Sequence, residues 1–271
     1  MFIGWIRKKS FTTDLVAFNS QIIIDKSLVL KTFDDNNSLC FGAYDENKLV
    51  AFISAYEMEQ SILINNFYYL HDISKDIKKR LVKLLLDNIN EDEKPILFMS
   101  NRNEKDIFTS FKFKEYTKFK KAVYGGEAVA FNFTNATSKS ITNDNYLPVM
   151  TSMDKRAYNE NRVEYTKHAL LKESSLILST QFGYQHSYSI GKSLVKISPW
   201  VMEDAAFSDA EKMIRGVIYH RGLKRIFAFI PSDIKEITDL YKSYKFDLSD
   251  EYILFYKNTK PSIDLEMIYA F

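Results

Sequence analysis

Toward its C-terminal end the chain runs Leu194-Val-Lys-Ile-Ser-Pro-Trp-Val-Met202, then a polar stretch from Glu203 to Asp209, then Ala210-Glu-Lys-Met-Ile-Arg-Gly-Val-Ile218. The first run is apolar and β-prone, Pro199 marks its exit, and Met213, Val217 and the Ile214/Ile218 pair repeat at helical spacing. A strand that leads into a helix leaves backbone N–H groups unpaired at the helix start. With the positive end of the helix dipole, they form a place for an anion. The pattern then continues as a strand, Arg225-Ile-Phe-Ala-Phe-Ile230, an amphipathic helix, Asp233 to Tyr244, and a third strand, Glu251-Tyr-Ile-Leu-Phe-Tyr256. Strand, helix, strand, helix, strand restricts this part to an α/β arrangement.

The first half shows a related order. Thr12-Thr-Asp14 reads as the cap of a short helix carrying Leu15, Val16, Phe18 and Ile22. Leu39–Tyr44 and Leu49–Tyr56 flank a polar turn, which predicts a hairpin. Ile62–Leu70 is a further strand, Ser74–Asn88 a helix with Ile77, Leu81, Leu84 and Leu85 on one face, and Pro95–Ser100 another strand. Glu104–Phe111 reads as a short helix, and strands near Lys118–Val123 and Glu127–Phe133 are divided by Gly125-Gly126. Residues 135–146 are Ser-, Thr-, Asn- and Lys-rich without apolar periodicity, so they read as a linker. The expected domains are therefore 1–137 and 138–271. After the linker, Asp154–Glu173 is a predicted helix, with strands at Leu176–Thr180 and Phe182–Ile190.

Composition narrows the function. The 271 residues are 46% apolar, ample for one large or two small cores. Lys and Arg number 37 against 35 acidic residues, a net charge of +2, too little for a nucleic-acid partner. The single cysteine, Cys40, excludes an internal disulfide framework and cysteine-based zinc sites, and it points to a reducing, cytoplasmic setting. The N-terminus is apolar and then basic, the reverse of a signal peptide, and no apolar run reaches the ~18 residues of a membrane span. Monomer and homodimer both remain open. His71, His168, His186 and His220 lack ligand spacing, so no metal is expected. No G-x-S-x-G, Walker or Rossmann fingerprint occurs, and only 8 glycines are present.

Two short motifs carry a family resemblance. Leu240-Tyr-Lys-Ser-Tyr-Lys-Phe246 resembles the F-Y-x-x-x-G-F signature that closes the fourth helix of GNAT-superfamily N-acetyltransferases, with Tyr241 and Phe246 in register and Lys245 where glycine is usual. Ile190-Gly-Lys-Ser-Leu-Val-Lys-Ile-Ser-Pro-Trp-Val201 resembles a strand exit found in C-terminal halves of two-lobed bacterial GNAT proteins. The resemblance implies an α/β (α+β) fold of two GNAT-like lobes, each a mixed, mostly antiparallel sheet flanked by helices. It also implies transfer of an acetyl group from acetyl-CoA to a primary amine of a small molecule or peptide.

By the same resemblance, Phe67, Tyr68, Tyr69 and Leu70, with Lys75, Lys78 and Lys79, occupy the cofactor-binding strand and pyrophosphate cradle of the first lobe, or else Ser74 is a helix cap, the lysines a solvated face and the aromatics ordinary core. Asp76 and Lys78 stand at the glycine positions of that cradle. Ser198, Trp200 and Val201 occupy the matching place in the second lobe. Tyr241 matches the tyrosine that protonates the departing thiolate, or else it is an ordinary half-buried aromatic. Phe108, at the same position in the first lobe, has no hydroxyl. No glutamate stands on Ile62–Leu70. Glu57 either acts as base through water or is simply solvated. His186 is either a base or a satisfied interior histidine. The competing reading is a catalytically degenerate GNAT-shaped module that binds a ligand or partner.

Overall fold

The computed structural model describes residues 1–70, 73–90, 93–126, 139–140, 143–170 and 172–271. It has a mixed α/β architecture and divides into two compact units. The first comprises Met1–Tyr116 and Ile253–Pro261, the second Thr117–Tyr252 and Ser262–Phe271. The chain therefore changes unit within two of its strands. The 137/138 boundary and the expected strand Glu127–Phe133 lie outside the described residues.

The first unit begins with β1 (Phe2–Trp5), α1 (Phe11–Asn19), α2 (Lys26–Asp35), β2 (Cys40–Asp45), β3 (Lys48–Glu57) and β4 (Ile62–Tyr69). It continues through α3 (Lys75–Asp87), β5 (Ile96–Asn101) and α4 (Lys105–Thr109). β1 to β4 pair in sequence order as antiparallel neighbours, and β5 joins β4 in parallel. Glu46 and Asn47, at φ 45° and 66°, form the tight two-residue turn between β2 and β3. α3 starts where the Ser74 side chain accepts from the Ile77 N–H at 3.5 Å, and it buries Leu81, Val82 and Leu85. It packs with α4, whose Phe108 is buried, on one face of the sheet over Ile53, Ile64 and Phe98. α1 and α2 cover the other face, with Phe11, Leu15, Phe18, Val29 and Phe52 buried there.

From α4 the chain enters β6 (Lys114–Tyr124), most of which belongs to the second unit. That unit contains β7 (Lys139–Ser140), α5 (Asn143–Tyr158), α6 (Val163–Leu170), β8 (Leu176–Thr180), β9 (Gly183–Ser189) and β10 (Leu194–Met202). α7 (Phe207–Arg221), β11 (Arg225–Pro231), α8 (Lys235–Ser243), β12 (Phe246–Lys257) and β13 (Ile268–Ala270) complete the chain. β7 to β10 are antiparallel neighbours, β10 and β11 run parallel, and β11 pairs with β6. α7 and α8 pack on one face, around Met213, Ile214, Ile237 and Tyr241. α5 and α6 pack on the other, around Met153, Tyr158, Val163 and Tyr184.

Both short helices, α4 and α8, end in the same left-handed turn: Lys112 at φ 65° and Lys245 at φ 61°, each followed by a buried phenylalanine, Phe113 or Phe246. Lysine accepts this conformation at a cost that glycine avoids.

Two expectations are corrected. The helix predicted over Asp154–Glu173 is two helices, separated where Asn159 turns to φ 57°. β10 does not end at Pro199. It continues to Met202, with one extra residue accommodated between Ile197 and Trp200 as a bulge, a place where a strand tolerates proline. The apolar N-terminus is a strand, β1, lying along β2.

Candidate active site

In the first unit the parallel ladder between β4 and β5 holds over Ile62↔Ile96, Leu63↔Leu97 and Ile64↔Phe98. Both strands run on, β4 to Tyr69 and β5 to Asn101, without further pairing to each other among the described residues. A bulge sits where the ladder stops. Ser54 of β3 opposes Asn66 while Ala55 opposes Ile64, so Asn65 is the extra residue. Bulges bend the strand that carries them and raise its twist, which carries β4 away from β5. Beyond the bulge the Leu70 N–H donates to the Val50 carbonyl at 3.0 Å. By alternation, Asn66, Tyr68 and Leu70 turn their peptide groups to β3, and Phe67 and Tyr69 turn theirs to the side that β5 has left. An extended ligand laid in that gap meets a ready N–H and C=O edge.

Side chains distinguish the two faces of the gap. Phe67 and Tyr69 lie on the α3/α4 face, their rings 5.5 Å apart, and Phe67 is 6.0 Å from Phe98 and 5.9 Å from Phe108. Tyr68 and Leu70 lie on the α1/α2 face. The Tyr68 phenol is bonded to the backbone of Asp25, and burial raises its pKa. Lys78 stands 3.3 Å over the Tyr69 ring and pairs with Glu104 at 3.0 Å, and Glu104 also accepts from the Tyr69 hydroxyl. Lys75 pairs with Asp106 at 3.3 Å on the surface, and Lys79 is half-buried. All three lysines belong to the first turns of α3, whose leading N–H groups and dipole favour an anion.

The second unit has the same plan with a different outcome. β10 and β11 pair over Leu194↔Arg225, Val195↔Ile226 and Lys196↔Phe227, and then diverge. Here β13 enters the gap. It pairs antiparallel with β10 through Trp200↔Ala270 and Val201↔Ile268, and the Phe271 N–H donates to the Phe229 carbonyl of β11 at 2.9 Å. Ile268, Tyr269 and Ala270 are buried.

The sequence matches no family model and no curated protein. Solved structures do match its fold. A candidate acetyltransferase of Pyrococcus horikoshii superposes with TM-score 0.79 at 14% identity, over 99% of this chain and 93% of that one. A tandem GNAT protein of the clavulanic acid biosynthesis pathway gives TM-score 0.64 at 8% identity, over 94% and 98%. The N-myristoyltransferase of Saccharomyces cerevisiae with bound myristoyl-CoA gives 0.61 at 12%, over 99% and 88%. The chain has the GNAT fold. At such low identities the likeness speaks for the fold alone.

Within this GNAT fold the residues singled out from the sequence fall into separate places. Phe67, Tyr68, Tyr69, Leu70, Lys75, Lys78 and Lys79 are brought together around the open end of β4. Trp200 and Val201 pair with β13, and Ser198 lies in the β10 bulge with its carbonyl against His186. Trp200 is wedged between the rings of Tyr241 and Tyr269, at 5.8 and 5.3 Å. Tyr241 is fully buried, and its hydroxyl donates to the Tyr269 carbonyl at 3.0 Å. Burial raises its pKa well above the usual value. The expected proton donor is thus committed to its own unit's backbone. His186 is also fully buried; its ring nitrogens meet Ser175 Oγ at 2.9 Å and the Ser198 carbonyl at 3.2 Å, and desolvation lowers its pKa to about 3. It is the satisfied interior histidine. Glu57 opposes Ile62, at the closed end of β4, and pairs with Lys94 at 2.8 Å. Five residues of strand, about 17 Å, separate Ile62 from Phe67.

Cys40 packs in the α1/α2 core, with its thiol pushed up to about 12 by burial. Among the described residues no cluster of His, Cys, Asp and Glu could hold a metal, and no helix is long and apolar enough to cross a membrane. The residues that sequence reasoning passed over are Asn65, Asn66 and β13. Two adjacent asparagines inside an otherwise apolar strand are the available signal for the bulge, and the apolar run Met267–Phe271 is the signal for β13.

Proposed function

We propose that the first unit is an acyltransferase site that takes the acyl group of an acyl-coenzyme A, acetyl-CoA in the first instance, and passes it to a primary amine of a small molecule or peptide. One observation carries the reading: β4 pairs with β5 only as far as Ile64, and past the bulge the peptide group of Phe67 turns to the side that β5 has left. The pantetheine arm lies along that edge, and the phosphates lie at the start of α3 beside Lys75 and Lys79. The amine nitrogen attacks the thioester carbonyl, the C–S bond breaks, and the proton that the nitrogen gives up is carried through solvent to the departing thiolate. Catalysis then rests mainly on holding the two reactants together and on backbone N–H groups near the developing oxyanion. No covalent enzyme intermediate is needed. We assign no catalytic part to Tyr241, His186 or Glu57, because two are enclosed and bonded and the third stands at the far end of the strand. β13 takes the place of a cofactor in the second unit.

The competing reading, binding without turnover, is favoured by one feature: Asn65–Leu70 carries no carboxylate to act as base. Calorimetry with acetyl-CoA followed by thiol release in the presence of amines separates the two. We expect about one equivalent bound per chain, and a ligand at a hundred times its Kd adds ~2.7 kcal/mol of stability. Absence of binding and of any thermal shift at millimolar acetyl-CoA overturns the reading. Binding without thiol release favours the module.

A further inference from the structure

The side chains at the β4 bulge form a polar chain whose hydrogen-bond direction is fixed from one end. The Thr32 hydroxyl donates to the Leu28 carbonyl within α2 at 2.9 Å, so its oxygen is left as an acceptor for Asn65 Nδ2 at 2.6 Å. That sets the Asn65 amide, whose Oδ1 then accepts from Ser54 Oγ at 3.2 Å and from Asn66 Nδ2 at 3.0 Å. Ser54 Oγ, having spent its proton, accepts the other Asn66 N–H at 2.9 Å. Both amide protons of Asn66 are therefore used, and no flip of either amide preserves the set. What remains is Asn66 Oδ1, with no hydrogen-bond partner among the described residues, on a side chain that is 1% exposed. A buried carbonyl oxygen without a donor is uncommon and calls for a role.

Its position suggests which donor it takes. Asn66 is two residues beyond Ile64, the last β4 residue paired with β5. Its Nδ2 is held by Ser54 of β3 and by Asn65, so the oxygen is the end of the amide left for a ligand. A thioester lying in the plane of the sheet is attacked from one face. The α3/α4 face is packed with the rings of Phe67, Phe98 and Phe108. The other face also holds rings, Phe52 and Tyr68 at 5.4 Å, and it carries the unpartnered oxygen of Asn66.

The geometry points to Asn66 as the residue that binds the amine acceptor, its Oδ1 accepting a hydrogen bond from the amine N–H, with Thr32 and Asn65 as positioning residues that aim it. The inference rests on the acyltransferase reading of the same gap. The cofactor is held by backbone and by α3, so the amine is the ligand that Asn66 affects.

The test uses wild type, Asn66→Leu and Thr32→Val, with acetyl-CoA as donor and propylamine, tyramine, spermidine and lysine as acceptors. Acetyl-CoA affinity is read by calorimetry and turnover by thiol release. We expect acetyl-CoA Kd within about twofold of wild type for both variants, and amine KM raised at least about tenfold in Asn66→Leu and about threefold in Thr32→Val, with kcat less affected. Thr32→Val keeps the side-chain shape and stands in if Asn66→Leu does not fold by circular dichroism. Unchanged amine KM in the folded variants, or equal loss of acetyl-CoA binding, overturns the proposal. So does a wild type that binds acetyl-CoA and acetylates none of these amines, and in that case the cofactor gap still stands. A wild type that binds no acetyl-CoA overturns the reading beneath it.

Discussion

The two units start from one plan and end differently at the same place. In each, an antiparallel run of strands leads to a parallel pair that holds for three residues, Ile62–Ile64 with Ile96–Phe98 or Leu194–Lys196 with Arg225–Phe227. In each, the bulge lies just past the end of that ladder. In each, a short helix closes on a left-handed lysine. Beyond the bulge, β4 and β5 of the first unit part with no third strand paired between them among the described residues, and the second unit lays β13 along β10 at the same point. The gap is thus a property of strand geometry, and whether it can take a ligand depends on what else the chain lays in it. Breaking that contrast should affect stability in one unit and binding in the other.

The largest effect is expected at Trp200, which is fully buried between Tyr241 and Tyr269 under β13. Trp200→Ala removes a large ring from a closed core and should cost about 3–5 kcal/mol, measured by urea unfolding. Acetyl-CoA should still bind at about one equivalent in the protein that remains folded. If Trp200→Ala instead abolishes binding while leaving stability intact, the second unit is the cofactor site and the comparison is reversed.

Acid should weaken the second unit selectively. His186 has its pKa lowered from 6.5 to about 3 by desolvation in the folded state. The unfolded chain therefore binds a proton as pH falls through the ordinary value, and the folded chain does not. Stability is full above that value and falls as pH drops toward the folded one. At pH 5 the loss is about 2 kcal/mol, at ~1.4 kcal/mol per pH unit. Hydrogen exchange at pH 7 and pH 5 should show protection lost in β9 and β10 and kept in β3 and β4. His186→Asn should flatten the dependence, and an unchanged slope in that variant sinks the assignment.

Much of this contrast is legible in the residues, and the part that is not has physical causes. The strand and helix order follows from periodicity, because each element buries one face: Ile77, Leu81, Leu84 and Leu85 mark α3, and Met213, Val217 and the Ile214/Ile218 pair mark α7. The left-handed turn at Lys245 follows from its place before Phe246, even with glycine replaced. The parting of β4 from β5 after Ile64 is a matter of backbone direction, which no side-chain pattern encodes, although the expected cofactor strand covers it. Tyr241 matches a motif by position, yet a motif does not record that β13 supplies a carbonyl for its hydroxyl. α2 is hidden for a similar reason: Lys26–Asp35 mixes polar and apolar residues with too little periodicity, and its start depends on the Asp25 side chain capping Leu28.

A smaller effect tests the open edge itself. Tyr69→Pro removes the Tyr69 N–H together with the ring that Lys78 and Glu104 hold, so Tyr69→Ala, which removes the ring and keeps the N–H, is the reference for the effects below. Acetyl-CoA affinity should fall by about tenfold, roughly 1.4 kcal/mol, with little change in unfolding midpoint. The matching substitution in the second unit, Val201→Pro, meets β13 in place of cofactor. It should lower stability and leave affinity alone. Equal affinity in Tyr69→Ala and folded Tyr69→Pro would remove the peptide edge from the binding site.

The smallest expected change is the most direct check on Tyr241. Its counterpart at the same point of the first unit is Phe108, also fully buried and without a hydroxyl. Tyr241→Phe therefore makes the second unit resemble the first at this position. The lost hydrogen bond to the Tyr269 carbonyl should cost about 1 kcal/mol of stability, or somewhat more because a buried acceptor loses its donor. Turnover per folded molecule, measured well below the melting temperature, should stay the same. A phenol acting as the proton donor to the leaving thiolate would instead give a fall in kcat with acetyl-CoA affinity unchanged. The two outcomes move different quantities, so one variant, assayed for both unfolding and turnover, decides whether Tyr241 holds β13 in place or takes part in the chemistry.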